Sequence, residues 1–206
     1  MNTAPLIYLV DDEPGMCKAL TRLLQTEGIR VRSFSSAEEF LAGRQPGEIA
    51  CLVLDVAMPR CDGPSLQRTL ADAGSALPII FLTGHGDIPL AVRSVQAGAV
   101  DFLTKPVQAT VLLSAVRRAL ALAQDRATEQ AATVALRTRL ELLTAREREV
   151  LGHVITGKPS KMIAADLGTG LQTIKVHRMR LMEKLGVASV PDLVRAAERL
   201  GVRRSD

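Results

Sequence analysis

The 206-residue chain carries 26 lysine and arginine residues against 22 aspartate and glutamate residues, a formal charge of +4. Aromatic residues make up only 2% and tryptophan is absent, which excludes a module that stacks bases on aromatic rings. The sequence lacks the run of about 20 apolar residues that a membrane span needs. Its first apolar run, Leu6–Val10, is also too short for a signal peptide, so we expect no membrane association.

Three cysteines occur, at Cys17, Cys51 and Cys61. Their number is odd and their spacing is not that of a zinc or redox motif. We therefore expect small buried residues with reduced thiols, in a cytoplasmic protein.

Charge is distributed unevenly along the chain. Residues 1–124 have a net charge of −1, whereas residues 125–206 have a net charge of +5. This difference predicts two units, the second of which can meet a polyanion.

The first half alternates short apolar runs with helical patterns. The runs predict strands at 6–10, 29–34, 51–54, 78–82 and 100–103, with 29–34 at an edge. Helices are predicted to begin at Pro14, after the serine pair 35–36, and after Asp87, and another covers 109–123. Five strands alternating with helices predict a doubly wound α/β domain with a parallel five-stranded sheet.

Polar residues follow four of these strands. Asp11 and Asp12 follow the first, and the other three strands lead into Asp55, Thr83 and Lys105. Because the carboxyl ends of parallel strands lie on one edge, these side chains should converge.

The converging groups suggest a specific chemistry. Three crowded carboxylates stay ionised only around a cation, and oxygen ligands favour Mg²⁺. Lys105 and Thr83 would then hold a phosphate group beside the metal. Asp55 is the candidate nucleophile, because a carboxylate can accept a phosphoryl group.

This set of residues resembles the receiver domain of two-component response regulators over about residues 5–122. The stretches 54–59 and 83–87, with Asp62-Gly63, are similar to the FixJ-like branch, although Arg60 stands where many relatives have glycine. The resemblance implies a CheY-like fold and phosphorylation of Asp55 by a histidine kinase.

The same resemblance assigns further roles. Asp11, Asp12 and the Ala57 carbonyl would hold Mg²⁺ with Asp55. A cis peptide bond is implied before Pro106. In the implied switch, Thr83 moves toward the phosphate and Phe102 swings inward.

Residues 124–140 are rich in alanine and charged residues and are compatible with either a helical stalk or a flexible linker. Beyond them the pattern is helical throughout. Thr144 and Glu147 form a capping-box pattern, and Ser160 is predicted to cap a short helix. A short glycine turn joins this helix to a third helix at 171–185, and two helices joined in this way suit helix-turn-helix geometry. A fourth helix reaches about residue 200.

The third helix can be projected at about 100° per residue. Ile174, Leu181 and Leu185 form its core stripe. The opposite side mixes amide, hydroxyl, cationic and apolar groups, as is typical of a helix that binds in the major groove of DNA. These residues are Gln172, Thr173, Lys175, Val176, Met179 and Arg180.

The stretches 147–151, 160–164 and 173–178 resemble the LuxR-type DNA-binding domain over about residues 141–202. By that likeness, helix 171–185 is the recognition helix. DNA contacts are then expected from Lys161, Lys175, His177 and Arg178. His177 projects near the core stripe, so packing is an alternative role for it.

The sequence thus predicts a receiver at 1–123, a helical linker at 124–140 and a DNA-binding domain at 141–206. Phosphorylation of Asp55 would promote a homodimer that binds double-stranded DNA and contacts RNA polymerase, without turnover of an external substrate. Two alternatives are a phosphorylation-independent regulator and an aspartate-nucleophile phosphatase. The second lacks its usual acid, because Ala57 occupies that position.

Overall fold

The computed structural model describes residues 5–45, 47–84 and 88–202. Residues 85–87 of the motif that follows Thr83 lie outside the described part. The chain divides into two compact units, one ending at Thr128 and the other beginning at Glu129. No helix in the described ranges combines the length and apolar character needed to cross a bilayer.

The first unit is built on a parallel sheet of five strands in the order β2-β1-β3-β4-β5. The strands are β1 (Leu6–Val10), β2 (Arg30–Phe34), β3 (Ala50–Asp55), β4 (Ile79–Thr83) and β5 (Asp101–Thr104). β2 is an edge strand with partial exposure, as its alternating sequence predicts. The doubly wound fold class is therefore confirmed.

Five helices connect or follow these strands: α1 (Pro14–Thr26), α2 (Ala37–Gly43), α3 (Gly63–Asp72), α4 (Ile88–Gln96) and α5 (Ala109–Glu141). Capping residues define several of their starts. Ser36 Oγ accepts a hydrogen bond from Glu39 N at 3.2 Å, and Asp62 Oδ1 accepts one from Ser65 N at 2.8 Å. Residues 124–140 are helical within α5.

Both faces of the sheet are covered, because consecutive strand residues point to opposite sides. Tyr8 packs in the core on one face, whereas Ile7 and Leu9 pack on the other. Burial on both sides explains why the strands read as continuous apolar runs. Because all neighbouring strands pair in parallel, the strand ends that carry polar residues share one edge.

The second unit contains α6 (Ala145–Val154), α7 (Ser160–Asp166), α8 (Leu171–Leu185) and α9 (Val190–Leu200). Their core includes Leu151, Ile163 and Leu193. The capping box at Thr144 and Glu147 is present, which confirms that prediction.

Two local predictions were wrong. Ser160 is not the cap of α7, because Pro159 occupies that position and the Ser160 hydroxyl instead accepts a hydrogen bond from Arg178 Nη1 at 3.0 Å. Of the three free cysteines, only Cys51 is buried, within β3. Cys17, near the start of α1, and Cys61, in the loop before α3, are half-buried.

Candidate functional site

Three carboxylates meet at the carboxyl edge of the sheet. Asp11 and Asp12 follow β1, and Asp55 ends β3, which pairs directly with β1. One oxygen from each lies within 4.8 Å of the others. Asp11 and Asp55 are buried, whereas Asp12 is exposed. Such a set of oxygen donors, open to solvent on one side, fits a hydrated Mg²⁺.

Lys105 enters the same cluster from the end of β5. Its Nζ lies 2.8 Å from Asp11 Oδ2 and 3.0 Å from Asp55 Oδ1. Glu13 Oε1, from a residue that was not among the predicted site residues, lies 3.5 Å from Lys105 Nζ. The peptide bond between Lys105 and Pro106 is cis, as the resemblance implies.

Burial and charge act on these groups in opposite directions. Burial raises the pKa of Asp55, and the negative charges of Asp11 and Asp12 add to that effect, while Lys105 opposes it. Burial by itself lowers the pKa of Lys105, but hydrogen bonds and attraction from Asp11 and Asp55 outweigh it and raise that pKa. Lys105 is therefore a permanent cation beside Asp55.

Thr83 is buried at the last position of β4, opposite Thr104 of β5. Its carbonyl accepts a hydrogen bond from Lys105 N at 2.7 Å, so the backbone ties the two residues together. Phe102 is half-buried, with its ring centroid 5.9 Å from that of Phe81. The two residues of the implied switch thus lie on adjacent strands.

The loop after Asp55 contains Ala57, which is exposed, and Arg60, which adopts a φ of 68°. This left-handed conformation is one that glycine adopts without strain. The loop closes through a hydrogen bond from Gly63 N to Val56 O at 3.0 Å.

Gly63 supports the site in a way that is not predictable from the polar residues at the strand ends. A Cβ atom there would lie 2.7 Å from the Asp55 carbonyl oxygen and 2.8 Å from the Phe81 ring. Only glycine lets α3 begin so close to the end of β3. The sequence signal for this role is the position of Gly63 directly after Asp62, the residue that caps α3.

On the second unit, α8 divides into the two faces that its sequence predicts. Ile174, Leu181 and Leu185 are buried. The exposed face carries polar, cationic and apolar groups, namely Gln172, Thr173, Lys175, Met179 and Arg180. Lys161 of α7 is also exposed, and Val176 is half-buried.

His177 and Arg178 differ from those exposed residues. Both are half-buried, and Arg178 donates its hydrogen bond to Ser160. Within the described part of the chain, His177 Nδ1 is buried without a hydrogen-bond partner. The structure thus places His177 toward the packed side, and Arg178 at the contact between α7 and α8.

Comparison with known proteins identifies a family for each of the two units. The family described as "Response regulator receiver domain" matches residues 7–117, and "Bacterial regulatory proteins, luxR family" matches residues 141–197. The response regulator protein TmoT of Ectopseudomonas mendocina is 45% identical over 95% of this chain and 89% of that protein.

Two further relatives span both units. The transcriptional regulatory protein FixJ of Rhizobium meliloti is 41% identical over 93% of this chain and 94% of that protein. The structure of response regulator StyR aligns with a TM-score of 0.82 and 39% identity, and covers 95% of this chain and 99% of that one. The chain therefore belongs to the FixJ-like two-component response regulators, in which a receiver domain is joined to a LuxR-type DNA-binding domain.

Proposed function

We propose that Asp55 accepts a phosphoryl group from the phosphohistidine of a cognate kinase, in a Mg²⁺-dependent reaction. The observation that carries this proposal is the contact of Lys105 Nζ with both Asp55 and Asp11, at 3.0 and 2.8 Å. A cation held between two buried carboxylates is positioned to pair with a new anion on Asp55.

The reaction is an in-line displacement at phosphorus. An Asp55 carboxylate oxygen forms the new O–P bond while the P–N bond to the kinase histidine breaks, and the departing imidazole nitrogen takes up a proton. Asp11, Asp12, Asp55 and the Ala57 carbonyl would hold Mg²⁺, which neutralises charge on the phosphoryl oxygens when bound. Lys105 then pairs with the phosphoryl group.

The Thr83 hydroxyl and the Phe102 ring would transmit the change. Thr83 donates a hydrogen bond to the phosphoryl group, and the space it leaves admits Phe102, which already packs near Phe81. We expect the surface formed by residues 88–122 to rearrange and favour a homodimer. Two α8 helices would then meet neighbouring half-sites about one duplex turn apart.

In this proposal α8 enters the major groove of DNA in the bacterial cytoplasm. Gln172 and Thr173, at its exposed N-terminal turn, are suited to base edges, and Lys175 and Arg180 to phosphates. Lys161 would add a phosphate contact from α7. The bound dimer would contact RNA polymerase.

We propose that the chain turns over no external substrate, apart from slow hydrolysis of its own phosphoryl group. Ala57, two residues after Asp55, offers no acid for a leaving group. This distinguishes it from an aspartate-nucleophile phosphatase.

The test incubates the full chain with Mg²⁺ and a small acyl-phosphate donor, and measures mass, dimerisation and DNA retention. We expect the mass of one phosphoryl group to be added to the wild type and to Asp72→Asn, an exposed control, but not to Asp55→Asn. Labelling of Asp55→Asn would remove Asp55 as the acceptor. Equal DNA binding with and without the donor would support phosphorylation-independent regulation instead.

A further inference from the structure

A second cleft in the first unit lies between α3 and α4 and is formed by residues that the phosphoacceptor site does not use. It has a volume of about 250 Å³. Drug-sized ligands occupy pockets of about 300–1,000 Å³, so a ligand here must be compact. Pro64 and Leu90 give it an apolar lining, which suits a short carbon skeleton.

Gln67 holds the two walls of this cleft together. It is buried, and its Nε2 donates hydrogen bonds to the Ser94 and Ala97 carbonyl oxygens, both at 3.2 Å. These bonds join the middle of α3 to the C-terminal turn of α4. The cleft is therefore preformed rather than a gap between independent helices.

Among the described residues that line the cleft, the charged ones are both positive, namely Arg68 of α3 and Arg93 of α4. Arg68 interacts electrostatically with Asp62, whose carboxylate already caps α3. Among the described residues of the first unit, neither Arg68 nor Arg93 forms an ion pair within 4.0 Å, whereas other arginines do. Two guanidinium groups on one cleft favour an anion with two charged oxygens.

Ser94 gives an independent indication of a ligand. Ser94 is one of the residues that line the cleft and is only 3% exposed, and its hydroxyl has no hydrogen-bond partner among the described residues. Buried hydroxyl groups are normally paired, because water no longer satisfies them. An acceptor atom on a bound molecule would complete the pairing.

We propose that the α3–α4 cleft binds a compact organic dianion. Arg68 and Arg93 pair with its carboxylate or phosphate oxygens, the Ser94 hydroxyl donates to one of them, and the skeleton lies on Pro64 and Leu90. Because α4 belongs to the surface expected to rearrange, the occupant stabilises the present arrangement of α3 and α4. Binding itself does not depend on phosphorylation of Asp55.

The experiment titrates the full chain, without Mg²⁺, with succinate and separately with glycerol 3-phosphate, and follows heat of binding. We expect saturable binding of one ligand per chain. Arg68→Gln and Arg93→Gln should each weaken it about tenfold or more, because each removes a charge-assisted contact. Arg117→Gln, which removes an exposed arginine paired with Glu27, should change it less than about twofold.

Ser94→Ala separates ligand binding from a structural role. It should weaken binding about threefold to tenfold while leaving the unfolding midpoint unchanged or raised, since the hydroxyl has no partner to lose. The relative affinity for the two probes identifies the preferred anion. Absence of saturable binding with both probes, or equal weakening in Arg117→Gln, would overturn the proposal.

Discussion

Lys184, near the end of α8, donates a hydrogen bond to Glu147 Oε2 at 2.6 Å, joining the proposed recognition helix to the start of α6. Glu147 is only 3% exposed. The same carboxylate oxygen accepts from Thr144 N at 2.9 Å. A single buried side chain thus caps one helix and fixes the end of another.

Removal of this carboxylate should destabilise the second unit. We expect Glu147→Ala to lower its free energy of unfolding by about 1–3 kcal/mol, because the helix cap and an ion pair that is buried only on the Glu147 side are lost together. Urea denaturation followed by helical circular dichroism measures the change. Glu149→Ala, at an exposed ion pair with Arg146, should lower it by less than about 1 kcal/mol. Similar losses in the two variants would contradict the assignment.

The Glu147 interaction should also depend on pH in a defined direction. Burial raises the pKa of Glu147, but the hydrogen bonds from Lys184 and Thr144 outweigh it and hold the pKa below its ordinary value of 4.5. Its stabilising contribution is therefore complete above that value, and it is lost as the pH falls through the lowered pKa. The stability difference between wild type and Glu147→Gln should shrink as the pH is lowered from 7 to about 3. A difference that stays constant over this range would exclude the mechanism.

Lys105 should oppose Mg²⁺ binding while it supports phosphoryl transfer. Its ammonium neutralises part of the charge on Asp11 and Asp55, so Lys105→Gln should tighten Mg²⁺ binding about threefold to tenfold, on the order of 1 kcal/mol. The same variant should be phosphorylated more slowly by an acyl-phosphate donor. Calorimetric titration with Mg²⁺ measures the first effect, with the exposed Lys18→Gln as a control of equal charge change. Weaker Mg²⁺ binding in Lys105→Gln would show that the electrostatic argument is wrong.

The left-handed backbone at Arg60 predicts a stabilising substitution. Arg60→Gly should raise the free energy of unfolding of the first unit by about 1 kcal/mol, because glycine adopts the observed φ of 68° without the clash of a Cβ atom. Arg60→Ala keeps the Cβ atom and should bring no such gain. The midpoints of urea denaturation compare the two, and a gain of equal size in both would assign the effect to the lost charge.

Phosphate contacts should be visible in the salt dependence of DNA binding. Lys175→Ala should weaken binding similarly on all sequences and reduce the slope of log affinity against log salt by about one. Gln172→Ala should instead reduce discrimination between operator sequences with little change in slope. Fluorescence anisotropy at several salt concentrations measures both. An unchanged slope in Lys175→Ala would remove that residue from the phosphate contacts.

Much of the architecture follows from local patterns. Apolar runs such as Leu6–Val10 identify strands buried on both faces, and the spacing of Ile174, Leu181 and Leu185 identifies the buried side of α8. These patterns are readable because the strand and helix periods act within a few residues of chain. The convergence of strand ends was predictable for a different reason, because the carboxyl ends of parallel strands lie on one edge of the sheet.

The sequence by itself determined the alternation of strands and helices in the first unit, the buried face of α8 and the set of polar groups at the strand ends. Only the tertiary structure decided which atoms meet: Lys105 with Asp11 and Asp55, and Arg178 with Ser160 rather than with a free surface. These contacts join residues far apart in the chain, so they depend on how whole elements pack. Side-chain periodicity carries no information about such distances.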